Sequence, residues 1–478
     1  MKNSREIIAL SPISFGTSGA RGLVTDLNAE VCFAYTLAFL HSIAPSPGSR
    51  MALGMDLRPS SPAIAGACAA AIHYAGFQVD FCGILPTPAL AFYALEQQIP
   101  ALMITGSHIP FDRNGIKFYR PDGEISKQDE VAIGAAEVRL PDVLPDAVLP
   151  EIDPSAYQGF IDRYRQFFPP QQLAGLRLGL YEHSSVARDL LRELLQALGA
   201  EVISIERTDR FMPIDTEAVS ERDTAMAKQW AARYGFDAVL STDGDADRPL
   251  LGDQNGRWLR GDIVGILCAQ YLNAQAVATP VSSNSAVEKC GDFAVLRTRI
   301  GSPYVIEGME KLAGQGYNSV VGFEANGGFL VATEIRKQGR RLKPLPTRDA
   351  VLPMLVLLAM AKERGVKLSE LPESLPARYT ASDRLASFAP EKSRSLLYEL
   401  AASQAAVSDL LGDLCGNVTA SDQTDGLRLS FENGEIVHLR ASGNAPELRC
   451  YAEADTQMRA EEIVRACLSR LADYKSSQ

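Results

Sequence analysis

The sequence predicts a fold of three related α/β units followed by an α+β unit. The chain has 478 residues, more than one hydrophobic core supports, so about three to four domains of ~100–150 residues are expected. Apolar helix and strand patterns alternate along most of the chain, which is typical of βαβ units with a parallel sheet. The C-terminal part changes to short strands separated by turns and followed by a helix, which indicates an α+β unit.

The elements follow this alternation from the N-terminus onward. The first unit is predicted to contain a helix at 31–43, a strand at 51–56, a helix at 61–76 and a buried strand at 101–105. The second and third units repeat the pattern with strands at 176–181, 237–242 and 319–323 and with helices at 187–199, near Trp230 and at 303–314. After about Pro376, strands are predicted at 426–431, 435–442 and 448–454, with a helix from about Met458. The predicted domains are therefore 1–150, 151–260, 261–372 and 373–478.

Composition narrows the function before any motif is considered. The N-terminal residues lack the pattern of a signal peptide, and no run reaches the ~20 apolar residues of a membrane helix, so a cytoplasmic protein without membrane contact is expected. The eight cysteines are scattered without metal-type spacing and are expected to be reduced core residues. A net charge of -11 disfavours binding to nucleic acid, so a phosphorylated ligand must meet local cations.

Polar loops follow the apolar strand of each α/β unit. They are the segments TGSHIPFDRNG, TDGDADR and GFEANGG. Ligands of open parallel sheets bind beyond the carboxyl ends of the strands, so the three loops are expected to converge on one site.

The segment DGDADR carries alternate carboxylates at Asp243, Asp245 and Asp247. Alternation directs them to one side, and hard oxygen donors suit Mg²⁺, which often takes a phosphate oxygen as a further ligand. A calcium EF-hand does not fit, because Arg248 stands where glycine is needed and Gln254 where a bidentate glutamate is needed. An acidic surface turn is the alternative without function.

The segment TGSHIP, with NGIKFY close behind it, places a hydroxyl, an imidazole and an amine together. It does not match the GxSxG elbow of hydrolases. Ser107 is instead suited to carry a phosphoryl group that completes the magnesium site, with His108 and Lys117 supplying protons and positive charge. The alternative is a tight turn with a buried lysine stem.

Three further segments offer groups that bind phosphate or sugar. FGTSGARG presents backbone amides and Arg21, but matches neither a Walker A loop nor GxGxxG, and Arg21 is otherwise a surface cation. In GFEANGG, Glu324 and Asn326 suit sugar hydroxyls, although a helix-capping turn is equally compatible. The segment RASGNAPELR, which a plain turn between strands also explains, offers an anion nest from two arginines and a polar turn. Its candidate residues are Arg440, Ser442, Gly443, Asn444 and Arg449.

Taken together and in this order, the segments resemble the α-D-phosphohexomutase superfamily, which contains phosphomannomutases and phosphoglucomutases. FGTSGARG, TGSHIPFDRNGIKFY and DGDADR match closely, and GFEANGG and RASGNAPELR match more loosely. The resemblance implies three related α/β domains and an α+β C-terminal domain related to TATA-binding-protein-like folds. GFEANGG departs from the GExSGH pattern of glucosamine or mannose/glucose members and from the GFEES-type loop of many phosphoglucomutases, so the loop leaves the sugar open.

The resemblance also implies a role for each matched residue. Ser107 would be the phosphoserine, and Asp243, Asp245 and Asp247 would bind Mg²⁺. The active-site neighbours would be Arg21, His108, Lys117 and Arg248. Glu324 and Asn326 would bind sugar hydroxyls. The phosphate distant from the reacting oxygen would be held by Arg440, Ser442, Gly443, Asn444 and Arg449.

The expected activity is the interconversion of hexose 6-phosphate and hexose 1-phosphate through a hexose 1,6-bisphosphate. Mannose is the first choice of sugar, glucose the second and glucosamine the third. The expected partner is the small phosphosugar, and the protein is expected to be a monomer or homodimer. A phosphatase and a non-catalytic sugar-phosphate sensor are the alternatives from other classes.

Overall fold

The computed structural model describes residues 2–16, 18–43, 49–441 and 447–473. In these ranges the strands form one seven-stranded, one four-stranded and two five-stranded sheets and a separate two-stranded ribbon. The predicted fold class is confirmed, since three mixed sheets flanked by helices precede an antiparallel sheet with helices. No helix of the described residues is long and apolar enough to cross a membrane.

The first sheet has the strand order β1-β2-β6-β5-β3-β4, with β7 paired to β6. Its strands are β1 (Ser14–Phe15), β2 (Ala20–Leu23), β3 (Arg50–Met55), β4 (Gln78–Ile84), β5 (Ala101–Ile104), β6 (Arg113–Arg120) and β7 (Gly123–Glu124). Its helices are α1 (Ser4–Leu10), α2 (Ala29–Ile43), α3 (Ser61–Tyr74), α4 (Thr87–Gln97) and α5 (Lys127–Ala135). The almost wholly apolar α2 and α3 are buried along most of their length and pack together, which covers one face of the sheet.

The second sheet has the order β11-β10-β8-β9. Its elements are α6 (Ser155–Phe167), β8 (Arg177–Tyr181), α7 (Arg188–Ala197), β9 (Glu201–Ile205), α8 (Glu221–Tyr234), β10 (Ala238–Thr242) and β11 (Pro249–Gly252). Helix α8 begins at the N-cap Ser220, whose side chain accepts from the amide of Asp223, and it ends at Gly235 in the left-handed conformation that glycine favours.

The third sheet has the order β13-β12-β14-β15-β18, and β16 and β17 form the separate ribbon. The strands are β12 (Ala276–Pro280), β13 (Ala294–Thr298), β14 (Val320–Phe323), β15 (Phe329–Val331), β16 (Ile335–Lys337), β17 (Arg340–Leu342) and β18 (Leu345–Asp349). The helices are α9 (Gly261–Tyr271), α10 (Ala286–Lys289), α11 (Ser302–Gly314) and α12 (Val351–Arg364). A 3₁₀ helix, Leu368–Ser374, follows α12.

The fourth sheet is wholly antiparallel, with the order β19-β23-β22-β21-β20. Its strands are β19 (Tyr379–Leu385), β20 (Val418–Asp422), β21 (Leu427–Phe431), β22 (Ile436–Ala441) and β23 (Leu448–Ala454). Its helices are α13 (Pro390–Ala402), α14 (Gln404–Val407), a π-helical turn (Ser408–Gly412), α15 (Asp413–Cys415) and α16 (Gln457–Asp473).

The three α/β sheets share one internal plan. In each, three parallel strands are joined by an antiparallel strand that follows the last of them in the chain: β6 after β5, β11 after β10 and β15 after β14. The three polar loops singled out in the sequence are the connections between these strand pairs. Each unit therefore presents its loop from the equivalent edge of its sheet, which allows the loops to meet.

Buried polar contacts join the antiparallel sheet to the third α/β sheet. The Asn284 side chain donates to the carbonyl of Arg378 at 2.9 Å and to Thr380 Oγ1 at 3.1 Å. The amide of Ser285 donates to Glu453 Oε2 at 2.9 Å, and Arg378 Nε donates to Glu453 Oε1 at 2.6 Å. Because unpaired buried charges are costly, this network fixes the start of β19 against the third unit.

Candidate active site

The loop after β5 carries Ser107 to the acidic loop of the second unit. Ser107 is fully buried and lies in the left-handed region of the backbone, with φ = 53°. Its Oγ donates to Asp243 Oδ2 at 2.6 Å, and its amide donates to Thr105 Oγ1 at 2.8 Å. A strained backbone of this kind is common where a side chain is held for function. The hydroxyl therefore points into the acidic loop of the second unit.

Arg58 binds the backbone of the loop that carries Ser107. Its guanidinium donates to the carbonyl oxygens of Ser107 (2.8 Å), Ile109 (2.6 Å), Pro110 (2.7 Å) and Arg113 (2.9 Å). It also forms a buried ion pair with Asp56 at 3.1 Å. Because one rigid fork binds several carbonyls of one loop, Arg58 fixes the path of the chain around the serine.

The three aspartates of the second unit lie together. Ligand oxygens of Asp243, Asp245 and Asp247 all lie within 4.8 Å of one another, and the side chains are buried. Burial, followed by the charges of Asp245 and Asp247, raises the pKa of Asp243 well above its usual value. Burial alone would also raise the pKa of Asp247, but Arg348 and Lys117 lower it below its usual value.

These carboxylates fit a divalent cation with oxygen ligands. Oδ1 of Asp245 and Oδ1 of Asp247 are buried and accept no hydrogen bond within the described residues. Asp247 Oδ1 lies 3.6 Å from Arg248 Nε, beyond hydrogen-bond distance. Buried carboxylate oxygens without hydrogen bonds are costly, and a hard cation such as Mg²⁺ would satisfy them. The Ser107 hydroxyl lies beside the third carboxylate, so a phosphoryl group on that oxygen would adjoin the same cation.

Lys117 contacts the acidic loop from strand β6. Its Nζ donates to Asp245 Oδ2 at 2.6 Å and to Asp247 Oδ2 at 2.7 Å, and the side chain is 2% exposed. Thr87, at the start of α4, also donates to Asp245 Oδ2 at 2.7 Å. The first unit thus binds the Oδ2 atoms of two aspartates and leaves their Oδ1 atoms free.

Two guanidiniums, those of Arg21 and Arg248, lie near the aspartate loop. Nε of Arg21 and Nε of Arg248 are both buried without a hydrogen-bond partner among the described residues. Burial, followed by the charge of Arg248, lowers the pKa of Arg21 to about 10. The charge of Arg248, together with burial, lowers the pKa of His108 to about 2, so the imidazole is neutral near pH 7. Arg248 Nε lies 3.6 Å from Asp247 Oδ1 as an ion pair, and the two guanidiniums make this region suited to a phosphate.

The loop GFEANGG of the third unit, called the sugar-type loop below, is joined to the aspartates through Arg348. Glu324 Oε2 accepts from Arg348 Nη1 at 3.2 Å, and both side chains are buried. Asn326 Oδ1 accepts from the amide of Gly328 at 2.9 Å, while the Asn326 carbonyl accepts from Thr216 Oγ1 at 2.9 Å. The asparagine oxygen is therefore engaged in the loop's own structure.

The two C-terminal arginines are placed differently. Arg440 Nε donates to Asp425 Oδ1 at 3.0 Å, and Asp425 Oδ2 accepts from the amide of Ile300 at 2.9 Å. Arg449 lies 3.6 Å from Glu447 and lines a cavity of about 220 Å³ together with Asp215 and residues of β19 and β23. The predicted residues Ser442, Gly443 and Asn444 lie outside the described residues.

Several residues at the site carry no motif that the sequence reasoning used. They are Arg58, Thr87, Asp215 and Arg348. Arg58 has a usable signal, since Asp56 and Arg58 follow the buried strand β3 just as the other polar loops follow their strands. The buried ion pairs of Arg348 leave no comparable signal, because its strand reads as an ordinary short polar strand.

Comparison with known proteins agrees with this architecture. Four profiles of the family described as phosphoglucomutase/phosphomannomutase match: alpha/beta/alpha domain I at 12–137, domain II at 158–256, domain III at 260–379 and the C-terminal domain at 390–468. The fold and the loops thus define a phosphohexomutase-type chain. The chain belongs to the phosphoglucomutase/phosphomannomutase family.

Individual relatives cover nearly the whole chain. A protein named phosphomannomutase from Salmonella muenchen is 50% identical over 471 residues, covering 98% of each chain. One of the same name from Sinorhizobium fredii is 45% identical, covering 96% of this chain and 98% of the relative. The structure of Aspergillus fumigatus N-acetylphosphoglucosamine mutase, in complex with GlcNAc-6P and magnesium, superposes with a TM-score of 0.63 at 15% identity and covers 99% of both chains.

Proposed function

We propose that this chain is a phosphomannomutase, which interconverts mannose 6-phosphate and mannose 1-phosphate. The observation that carries the proposal is the 2.6 Å hydrogen bond from the buried Ser107 hydroxyl to Asp243 inside the aspartate cluster. A phosphoryl carrier needs such a hydroxyl beside groups that neutralise charge. The 50% and 45% identical relatives named phosphomannomutase favour mannose as the sugar.

In the proposed reaction, phosphorylated Ser107 gives its phosphoryl group to the free hydroxyl of the hexose phosphate. The P–O bond to Ser107 Oγ breaks, and a new P–O bond forms to the sugar oxygen. Neutral His108, whose Nδ1 lies 3.4 Å from Ser107 Oγ, relays the proton that the sugar hydroxyl loses to the serine oxygen, so that Ser107 leaves as a hydroxyl. Arg21 and Arg248, each with a buried Nε that makes no hydrogen bond among the described residues, stabilise the oxygens of the transferring group.

The carboxylates of Asp243, Asp245 and Asp247 would hold Mg²⁺ together with an oxygen of the phosphoserine. When bound, this cation neutralises charge on the phosphoryl group. Lys117 binds Oδ2 of both Asp245 and Asp247, and Thr87 binds Oδ2 of Asp245. These contacts would leave the Oδ1 atoms available to the cation. Magnesium in the Aspergillus relative is consistent with this assignment.

The product of the first transfer is a hexose 1,6-bisphosphate. This intermediate must reverse its orientation in the site so that its other phosphate reaches Ser107. We assign the four proposed domains to the parts of this cycle. Residues 1–150 carry the phosphoserine, 151–260 the metal ligands, 261–372 the sugar-binding Glu324 and Asn326, and 373–478 the clamp for the distant phosphate. The clamp comprises Arg440, Ser442, Gly443, Asn444 and Arg449.

Glucose and glucosamine phosphates are the next candidates for the sugar, and the proposed location is the cytoplasm. A phosphatase has no use for a second phosphate-binding region in the C-terminal domain. A non-catalytic sensor does not require the serine and all three aspartates, which this chain retains.

An assay with mannose, glucose and glucosamine 1-phosphates tests the proposal. Formation of the 6-phosphate and release of inorganic phosphate are measured in the same reactions with Mg²⁺ and a trace of the matching bisphosphate. We expect isomerisation to exceed phosphate release and to be fastest with mannose. Phosphate release without isomerisation indicates a phosphatase, and the absence of both indicates a sensor.

A further inference from the structure

Arg348 joins two parts of the active site. It lies on β18 and is 2% exposed. Its Nε and Nη2 donate to Asp247 Oδ2 at 3.1 and 2.8 Å, and its Nη1 donates to Glu324 Oε2 at 3.2 Å. One guanidinium therefore binds a carboxylate of the aspartate cluster and a carboxylate of the sugar-type loop at the same time.

The stem of Arg348 also shapes the sugar-type loop. A Cβ atom at Gly328 would lie 2.7 Å from Cδ and 2.8 Å from Cγ of Arg348, which no side chain tolerates without movement. The loop is closed by hydrogen bonds from the amide of Glu324 to the Gly328 carbonyl and from the Gly328 amide to Asn326. The loop that carries Glu324 therefore packs against the aliphatic part of the Arg348 side chain.

The chemistry of this contact requires an arginine. A planar guanidinium binds two carboxylates in fixed directions, whereas a lysine ammonium is a point charge without that geometry. Because Asp247 and Glu324 are both buried, removing the bridge leaves at least one carboxylate with a poorer partner. The direction in which Glu324 points is therefore tied to the position of Asp247.

We propose that Arg348 is a positioning residue that fixes Glu324 relative to Asp247 and thereby sets the preference among hexose phosphates. This inference rests on the proposed mutase function and on the sugar-binding role of Glu324. A hydroxyl-reading carboxylate discriminates between epimers only if its distance from the reacting centre is fixed. Arg348 supplies that fixed distance, and it touches neither the serine nor its neighbouring cations in the described contacts.

The test compares Arg348→Lys with Arg163→Lys as a matched control. Arg163 is also buried, and it donates to the carbonyl of Lys343 at 2.8 Å, close to the strand that carries Arg348 but outside the site. For wild type and both variants, kcat and KM are measured with mannose 1-phosphate and glucose 1-phosphate, together with the melting temperature Tm.

We expect Arg348→Lys to lower kcat/KM for the preferred sugar roughly 10- to 100-fold, the range for losing a charge-assisted hydrogen bond. The ratio of kcat/KM between the two sugars should change by about fivefold or more. Arg163→Lys should lower Tm and leave that ratio unchanged. An unchanged ratio in folded Arg348→Lys overturns the inference, whatever happens to Tm.

If Arg348→Lys does not fold, Arg348→Gln is measured in the same way. Failure of both variants to fold also overturns the inference, because Arg348 would then be required for folding itself. The wild-type arm separates this result from failure of the proposed function. Wild-type protein that isomerises no hexose phosphate refutes the mutase proposal, whereas active wild type with an insensitive ratio in the variant refutes only the role of Arg348.

Discussion

The serine–aspartate centre and the C-terminal clamp differ in how their charged groups are held. At the centre, Ser107, Lys117 and the aspartates are buried and bind one another across units. In the C-terminal domain, Arg440 is bound to Asp425, while Arg449 lies near Glu447 and lines a cavity. Both regions hold cations on carboxylates, but the side chain of Lys117 is 2% exposed, whereas those of Arg440 and Arg449 are 18% and 35% exposed and accessible to a further ligand.

This difference fits the two tasks of the proposed reaction. Phosphoryl transfer needs fixed dipoles and charges, since reorganisation during the reaction costs rate. In the proposed reaction, reversing the bisphosphate requires one phosphate contact to loosen, and an arginine that exchanges between a carboxylate and a phosphate would allow this. Changes at the centre should therefore affect turnover, and changes at the clamp should affect substrate retention.

The largest effect is expected for Ser107→Ala. Without the hydroxyl there is no phosphoryl carrier, so kcat should fall by about 10⁴-fold or more, as for other lost nucleophiles. The control is Ser4→Ala, which removes a buried hydroxyl of the first unit that donates to the Ala136 carbonyl, away from the site. Near-normal turnover in Ser107→Ala would show that Ser107 is not the phosphoryl carrier.

A smaller but still large effect is expected from removing the metal. Chelation by EDTA, or Asp245→Ala, should lower kcat by at least about 10³-fold, because charge on the phosphoryl group is then not neutralised. Mg²⁺ should restore the chelated wild type but not the variant. Asp253→Asn is the control, since its carboxylate accepts from the amides of its own turn and has no other hydrogen bond within the described part of the chain. Full activity in EDTA would contradict the assignment.

Arg440→Ala should have an intermediate effect. Loss of a charge-assisted contact of ~1.5–3 kcal/mol predicts a KM increase of roughly 10- to 150-fold and more released hexose 1,6-bisphosphate, with Ser107 still phosphorylated. Steady-state kinetics and bisphosphate assays measure both.

Asp425→Asn sharpens this test, because it removes the partner of Arg440 without removing the arginine. If Arg440 grips phosphate, Asp425→Asn keeps or lowers KM. Equal losses in both variants would mean that the arginine acts only by holding Asp425 against Ile300, 2.9 Å away.

The smallest effect is expected for Asn326→Ala. Its side-chain oxygen already accepts a loop hydrogen bond, so losing one neutral contact of ~1 kcal/mol predicts about a fivefold change in the mannose-to-glucose ratio of kcat/KM. Glu324→Ala should change the ratio more, because it removes a charge. Unchanged ratios and Michaelis constants in both variants would show that this loop does not read sugar.

The fold was predictable where apolar periodicity is strong. Helix α2 and strands β3, β5, β10 and β14 lie where the pattern places them. The antiparallel strands β6, β11 and β15 were not predicted, because they are short or carry charges such as Lys117. Their pairing depends on the neighbouring strand rather than on their own sequence.

The site was predictable where residues cluster in the chain, as in the aspartate loop. Arg58 was missed although it follows strand β3, because its role depends on hydrogen bonds to a loop whose nearest bonded residue, Ser107, is 49 residues away. Arg348 was missed because its role arises from burial between units, which single-residue patterns do not report. The contact of Arg440 with Asp425, and that of Asp425 with the distant Ile300, were missed because sequence patterns do not report such pairings. The roles of the motif residues remain predictions.

Peptide mapping of active protein by mass spectrometry tests the central claim most directly. The modified fraction at Ser107 is measured alongside turnover, before and after the phosphoryl group is removed and then restored with hexose 1,6-bisphosphate. We predict phosphate on Ser107, loss of activity on its removal and recovery of both together. Full activity with unmodified Ser107, or with phosphate only at another residue, would contradict the account.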